Sequence, residues 1–270
     1  MARKFRIGCL VCLVALAACS CASGSDSDLN GNDSVIVTPA ETIPVVTPET
    51  VVTPTPEPEP ELPLPGGLAT GVLLTEDHLS PDEAAQYFGV EEISPGIFAR
   101  MDGYSWREGA LPISELRYLR TLYWGFDGGT YVGEMVVHES VAESVLEIFT
   151  QLYDAQYGIA LMVLIDDFDA DDTASMEANN ASAFNHRLIA GTNSLSKHAL
   201  GIAIDINPIQ NPWVRGNAVQ PESGRPYVDR SLRLPHMIDH DDLAFQLFID
   251  AGFRWGGDWT NPRDFHHFEK

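Results

Sequence analysis

The stretch SKHALGIAIDIN, residues 196–207, sets His198 and Asp205 seven positions apart around Gly201. The chain's last stretch, WGGDWTNPRDFHHFEK, adds Asp264, His266 and His267. Two imidazoles and a carboxylate, with a second carboxylate to spare, are what a catalytic zinc site needs. Such a site commonly has three nitrogen or oxygen ligands and an open position, and the spare acid can serve as base towards a water whose pKa the metal lowers. All four cysteines, Cys9, Cys12, Cys19 and Cys21, lie at the N-terminus, so the folded part offers no disulfide, thiolate ligand or cysteine nucleophile. Any metal there is held by His, Asp or Glu. No Gly-x-Ser-x-Gly elbow supports serine hydrolase chemistry.

Ser196-x-His198-x-x-Gly201-x-Ala203-x-Asp205, followed by Trp255-Gly256-Gly257-Asp258-Trp259 and Asp264-x-x-His267-Phe268-Glu269, resembles the motifs of a zinc peptidase family. That family includes the D-alanyl-D-alanine carboxypeptidases and the L-alanyl-D-glutamate endopeptidases of bacteria and phage. The resemblance covers roughly residues 115–270. It implies that His198, Asp205 and His267 bind one zinc ion, that Asp264 is the general base, and that the substrate is a peptidoglycan stem peptide. It leaves open whether the cut bond is D-Ala-D-Ala or an internal one such as L-Ala-D-Glu. The segment NNASAFNHR, residues 179–187, is similar to the family's region ahead of the first motif, where an arginine faces the substrate. Arg187 is thereby assigned to a substrate carboxylate or an oxyanion, which its planar fork suits; the alternative is a bracing arginine. Gly201 would let the backbone turn tightly, and Ser196 would support His198 from outside the ligand set. The chain departs from the pattern at His266, where relatives often have proline. Consecutive side chains of an extended segment point to opposite faces, so only one of the two adjacent histidines is expected at the zinc, and the spacing from Asp264 favours His267.

An α+β scaffold is expected to position these groups, a small mixed or antiparallel sheet with flanking helices; the resemblance implies a hedgehog or DD-peptidase-like zinc peptidase fold. Residues 131–137, YVGEMVV, have strand content. Ser140-Val141-Ala142-Glu143 reads as a capping box opening a helix with Val145, Ile148, Phe149 and Leu152 on one face. IALMVLID, from residue 159, reads as a buried strand and 166–182 as a long loop. In GIAIDIN the isoleucines alternate with Ala203 and Asp205, so isoleucines in the core put Asp205 on the opposite face. Asp241 and Asp242 open a helix carrying Leu243, Leu247 and Phe248, with Gly252 as its stop.

The N-terminus carries Arg3, Lys4 and Arg6, an apolar run, and Leu16-Ala17-Ala18-Cys19, a secretory leader (1–19) that resembles a lipobox with Cys19 as the lipid-anchored residue. The alternative is an ordinary signal peptide. Residues 20–66 hold nine of the 18 prolines, eight acids and no Lys or Arg, an extended and disordered linker that cannot form a core. Residues 67–270 form the expected zinc peptidase domain, its motif-bearing core about 115–270. The formal net charge of −23 argues against a nucleic-acid partner, since phosphates would be repelled. The expected protein is therefore an exported lipoprotein that faces the cell wall or periplasm. A reading from another class is a catalytically silent peptidoglycan-binding or signalling module on the same zinc scaffold. His236 and His240, four apart in HMIDH, lack the glutamate of a zincin helix and read as structural or solvated.

Overall fold

A computed structural model describes residues 69–270; the leader with Cys19 and the proline-rich linker lie outside the described residues. The chain begins with β1 (Leu73–Thr75), a short helix α1 (Pro81–Ala84), β2 (Gly89–Glu92) and α2 (Pro95–Met101). The long strands β3 (Leu116–Trp124) and β4 (Thr130–His138) follow, and with the first two strands they make an antiparallel sheet in the order β1-β4-β3-β2. Residues 69–92, left without a role by sequence, thus supply both edges of this sheet.

Helix α3 (Glu139–Asp154) lies against it, with Val145, Ile148, Phe149 and Leu152 buried as the period predicts. Its cap differs from the expected one. His138, not Ser140, is the N-cap: its ring Nδ1 accepts from the Ser140 backbone N–H, because β4 runs directly into the helix and leaves no turn in between. The expected strand at IALMVLID is also corrected. Residues 158–164 are largely buried but make only isolated bridges, Trp124 with Gly158 and Leu161 with Asn180, because no full-length partner strand runs beside them. The loop after it holds a single 3-10 turn, Ile165–Phe168, and α4 (Asp172–Glu177).

Three short strands then carry the chemistry-bearing part: β5 (Ala203–Asp205), β6 (Trp213–Arg215) and β7 (Ala218–Gln220). Helix α5 (Leu243–Asp250) is capped by Asp242, whose carboxylate accepts from the Ala244 and Phe245 N–H groups, and Gly252 follows with φ of 85°. β8 (Arg254–Trp255), β9 (Arg263–Asp264) and β10 (His267–Glu269) complete two small antiparallel sheets, ordered β5-β10-β8 and β7-β6-β9. The architecture is α+β, as expected.

One hydrophobic core joins these parts. The apolar stripe of α3 meets Leu119, Tyr123, Met135 and Val137 of the large sheet and Ile204, Phe248, Trp255 and Phe268 of the C-terminal elements. Phe248 stacks on Phe268 at 4.4 Å between ring centres. A separate polar clasp holds the N-terminal elements: fully buried Glu134 of β4 accepts from Arg100 of α2 at 2.7 and 2.9 Å, from Tyr118 at 2.8 Å and from Thr70 at 2.6 Å. Burial opposes charge on Glu134, but these donors, Arg100 foremost, hold it below the usual carboxylate range. Among the described residues no helix is long and apolar enough to cross a membrane.

Candidate metal centre

Register decides which side chains meet. β5 pairs with β10 so that Asp205 lies directly opposite His267 and Ile204 opposite Phe268. Directly opposed residues point to the same face, so burying Ile204 and Phe268 in the core turns Asp205 and His267 together to the other side. β5 is pinned on its other edge by Ser182, which exchanges two backbone hydrogen bonds with Asp205 at 2.9 and 3.1 Å. His198 arrives from a single 3-10 turn, His198–Leu200, that ends at Gly201 in the left-handed region with φ of 63°. A Cβ on Gly201 would sit 2.6 Å from the backbone nitrogen of His138. Glycine there allows both the turn and the close docking of this loop on the β4–α3 junction, where His138 N–H donates to the Gly201 carbonyl at 2.8 Å.

The three side chains converge. His198 Nε2 lies 3.2 Å from Asp205 Oδ2 and 3.2 Å from His267 Nδ1, and His267 Nδ1 lies 3.0 Å from Asp205 Oδ1. All three residues are buried, and one ligand atom from each falls within 4.8 Å of the others. The outward nitrogen of each ring has an acceptor. His198 Nδ1 donates to the Ala183 carbonyl at 2.6 Å, and His267 Nε2 faces Glu269 Oε2 at 3.4 Å. Each imidazole is therefore left with its lone pair on the inner nitrogen, Nε2 for His198 and Nδ1 for His267, which is how metal-ligating histidines are held. Two imidazoles and one carboxylate are a donor set that fits zinc. Ser196 supports His198 from outside the three-residue group, its Oγ accepting from the His198 backbone N–H at 3.2 Å.

Asp264 ends β9, opposite Trp213 of β6, and a two-residue turn leads to His267. Gly256 makes this turn possible, since a Cβ there would lie 2.6 Å from the Asp264 carbonyl oxygen and 3.3 Å from the His267 Cβ. Of the two adjacent histidines only His267 joins the three-residue group, but His266 stays beside it. His266 precedes β10, in the turn and not in the strand, so strand alternation does not send it away. Its Nδ1 donates to the Asn211 carbonyl at 2.7 Å, while Nε2 lies 3.0 Å from Asp264 Oδ1 and 3.8 Å from Asp205 Oδ2. His266 thus stands between the ligand carboxylate and the candidate base. Asp264 Oδ1 is buried, and the His266 contact is an ion pair with no hydrogen bond aligned on that oxygen.

The charges follow from this crowding. Burial opposes the ionised form of Asp205, yet His198 and His266 hold its carboxyl well below the usual range. Burial likewise opposes protonation of the rings, but Asp264 and Asp205 push His266 up to about 9, and Asp205 with Glu269 pushes His267 up to about 10. Such a pocket of carboxylates collects positive charge, and a divalent ion can take the place of the protons.

Arg187 joins the site through its backbone, its carbonyl accepting from the Ser196 N–H at 3.1 Å. Its guanidinium pairs with Asp172 of α4 at 2.9 Å and makes no contact with the three-residue group among the described residues. His236 stacks on Phe126 and His240 pairs with Asp258, so neither joins a metal group. Sequence reasoning placed Glu269 in the second motif without a chemical role, and gave none to Asn211 or the Ala183 carbonyl. For Glu269 a signal was present, since it lies two residues from His267 and shares its face of a strand; the backbone acceptors left none.

A family model described as D-alanyl-D-alanine carboxypeptidase matches residues 190–270. No curated protein and no solved structure matches the chain. The matched stretch contains His198, Asp205, Asp264 and His267 and begins after Arg187. Over that stretch the chain is similar to the M15 group of peptidases, and the similarity falls on the segments that fold into the three-residue centre.

Proposed function

We propose that the protein is an exported zinc peptidase that hydrolyses a peptide bond in the stem peptides of peptidoglycan. The observation that carries this reading is the convergence of His198 Nε2, Asp205 and His267 Nδ1, with the far side of each ring already held by an acceptor. The similarity to D-alanyl-D-alanine carboxypeptidases supports the substrate class. The basic and apolar leader ending at Cys19 supports export and a lipid anchor.

Bound zinc would act as a Lewis acid on the scissile carbonyl and would acidify water at the centre. The protein's own groups supply the remainder. Asp264 takes the proton of the attacking water and returns it to the departing amine. His266, fixed on the Asn211 carbonyl, keeps the Asp264 carboxylate from turning away by charge attraction at 3.0 Å. Arg187 receives the substrate's carboxylate after exchanging its Asp172 partner, a geometry its fork suits.

The test is zinc content together with hydrolysis. The purified protein should retain about one zinc per chain, as a three-ligand catalytic site does, and release D-Ala or a shortened stem from defined muropeptides. His198→Ala should lose both the metal and the hydrolysis. Asp264→Asn should keep the metal and lose activity by roughly 10²–10⁴-fold, the span of general acid–base catalysis. A protein that binds zinc and muropeptides but forms no product by mass spectrometry would refute the enzyme reading.

A further inference from the structure

We infer that Glu269, steadied by Arg254, is a positioning residue that sets the zinc affinity of the centre by holding His267 as an Nδ1 donor. The inference deepens the metal-centre reading above and rests on it.

The register of the C-terminal sheet aligns the parts. His267 and Glu269 are two apart in β10 and share a face. Glu269 lies directly opposite Arg254 of β8, while on the other face Phe268 lies opposite Trp255 and is sealed in the core. Arg254, Glu269, His267 and Asp205 therefore form a row across one sheet face, from solvent to the buried centre. Arg254 Nη2 donates to Glu269 Oε1 at 2.7 Å, and Glu269 Oε2 stands 3.4 Å from His267 Nε2. The Arg254 side chain is 70% exposed and that of Glu269 13%, so the row is anchored in water and ends out of it.

A neutral imidazole carries one hydrogen and one lone pair, and the two tautomers of His267 have opposite consequences. With hydrogen on Nε2, Glu269 accepts it and the Nδ1 lone pair points at His198 and Asp205. With hydrogen on Nδ1, two lone pairs oppose one another at 3.4 Å across His267 and Glu269, and the inner position is closed to a cation. A carboxylate beside Nε2 thus selects the tautomer that binds metal, and its charge strengthens the ring as a donor. At His198 the same task falls to the Ala183 backbone carbonyl, which no substitution removes. Glu269 is the one of the two acceptors that mutation can delete.

The experiment is competition for zinc between the full-length protein and a chromophoric chelator, with cobalt substituted in parallel to read the ligand field by absorption. Glu269→Ala should weaken zinc binding by roughly 10–100-fold, the usual loss on removing such a partner, and should shift the cobalt bands. Glu269→Gln keeps a similar size and an acceptor oxygen, and should recover most of the affinity. Arg254→Ala should cost less than about fivefold, since its pair with Glu269 is largely exposed. Wild-type affinity in Glu269→Ala, with His267→Ala losing the metal, would overturn this inference alone. Failure of the wild-type protein to bind zinc or cobalt would overturn it together with the metal-centre reading.

Discussion

His267 carries more of the site's physics than any other residue. Its ring is pressed by burial towards the neutral form and by Asp205 and Glu269 towards the charged one, and the carboxylates win, which raises its pKa to about 10. In the metal-free protein, proton and zinc compete for Nδ1, so apparent zinc affinity should rise by roughly tenfold per pH unit between pH 6 and 8 for each proton displaced. A flat profile in chelator competition would show that metal binding displaces no proton from the His267 ring. The same shift fixes the sign for stability. The folded pKa values of His266 and His267 lie above the unfolded value of about 6.5, so their contribution is complete below that pH and is lost as pH rises through about 9 and 10. Asp205 is depressed, so its contribution is present above about pH 3.9 and lost as pH falls towards its lower folded value. Melting of the metal-free protein should therefore shift downward from pH 6.5 to 9.5, and added zinc should reverse the shift. At this scale the sequence was readable for His198, Asp205 and His267, because the family resemblance of the two motifs implied them as the metal-binding set. It was unreadable for the partners of His198 and His266, because the Ala183 and Asn211 carbonyls belong to every residue alike.

At the scale of elements the centre is a consequence of strand pairing. Burying Ile204, Phe268 and Trp255 on one face obliges Asp205, His267 and Glu269 to share the other. The alternation in GIAIDIN announced the face of Asp205 from sequence, and Leu243 to Gly252 announced α5. The β5–β10 register was not visible, because it depends on which of several short strands pair across some sixty residues. The failed strand at 159–165 has the same cause: an apolar run shows burial and cannot show whether a partner is present. If the core face sets the metal face, emptying the core should disturb both. Phe268→Ala removes a fully buried ring stacked on Phe248 and should cost about 3–5 kcal/mol in urea unfolding. It should also weaken zinc binding, although its side chain lies on the core face away from the centre; unchanged zinc affinity in that variant would uncouple the two faces.

Across the whole molecule, the motif-bearing part is completed by a segment that carries no recognisable motif. Residues 69–101 add β1, β2 and α2, and the Glu134 clasp ties α2 and Thr70 to the sheet that supports α3. YVGEMVV looked like a plain strand in sequence, and nothing there distinguished a buried, four-times-bonded glutamate from an exposed one. Glu134→Ala leaves Arg100 and Tyr118 without their main partner. Because Arg100 is partly exposed and keeps Asp167, the cost should be roughly 2–3 kcal/mol, below the 3–5 of a fully buried pair. Chemical denaturation measures it, and a loss under about 0.5 kcal/mol would mean that the clasp is incidental.

The most direct test of the centre is anomalous diffraction at the zinc edge from crystals of the purified protein. One peak is expected, about 2.0–2.2 Å from His198 Nε2, His267 Nδ1 and an Asp205 oxygen. No peak there, or zinc bound by other side chains, would contradict the account.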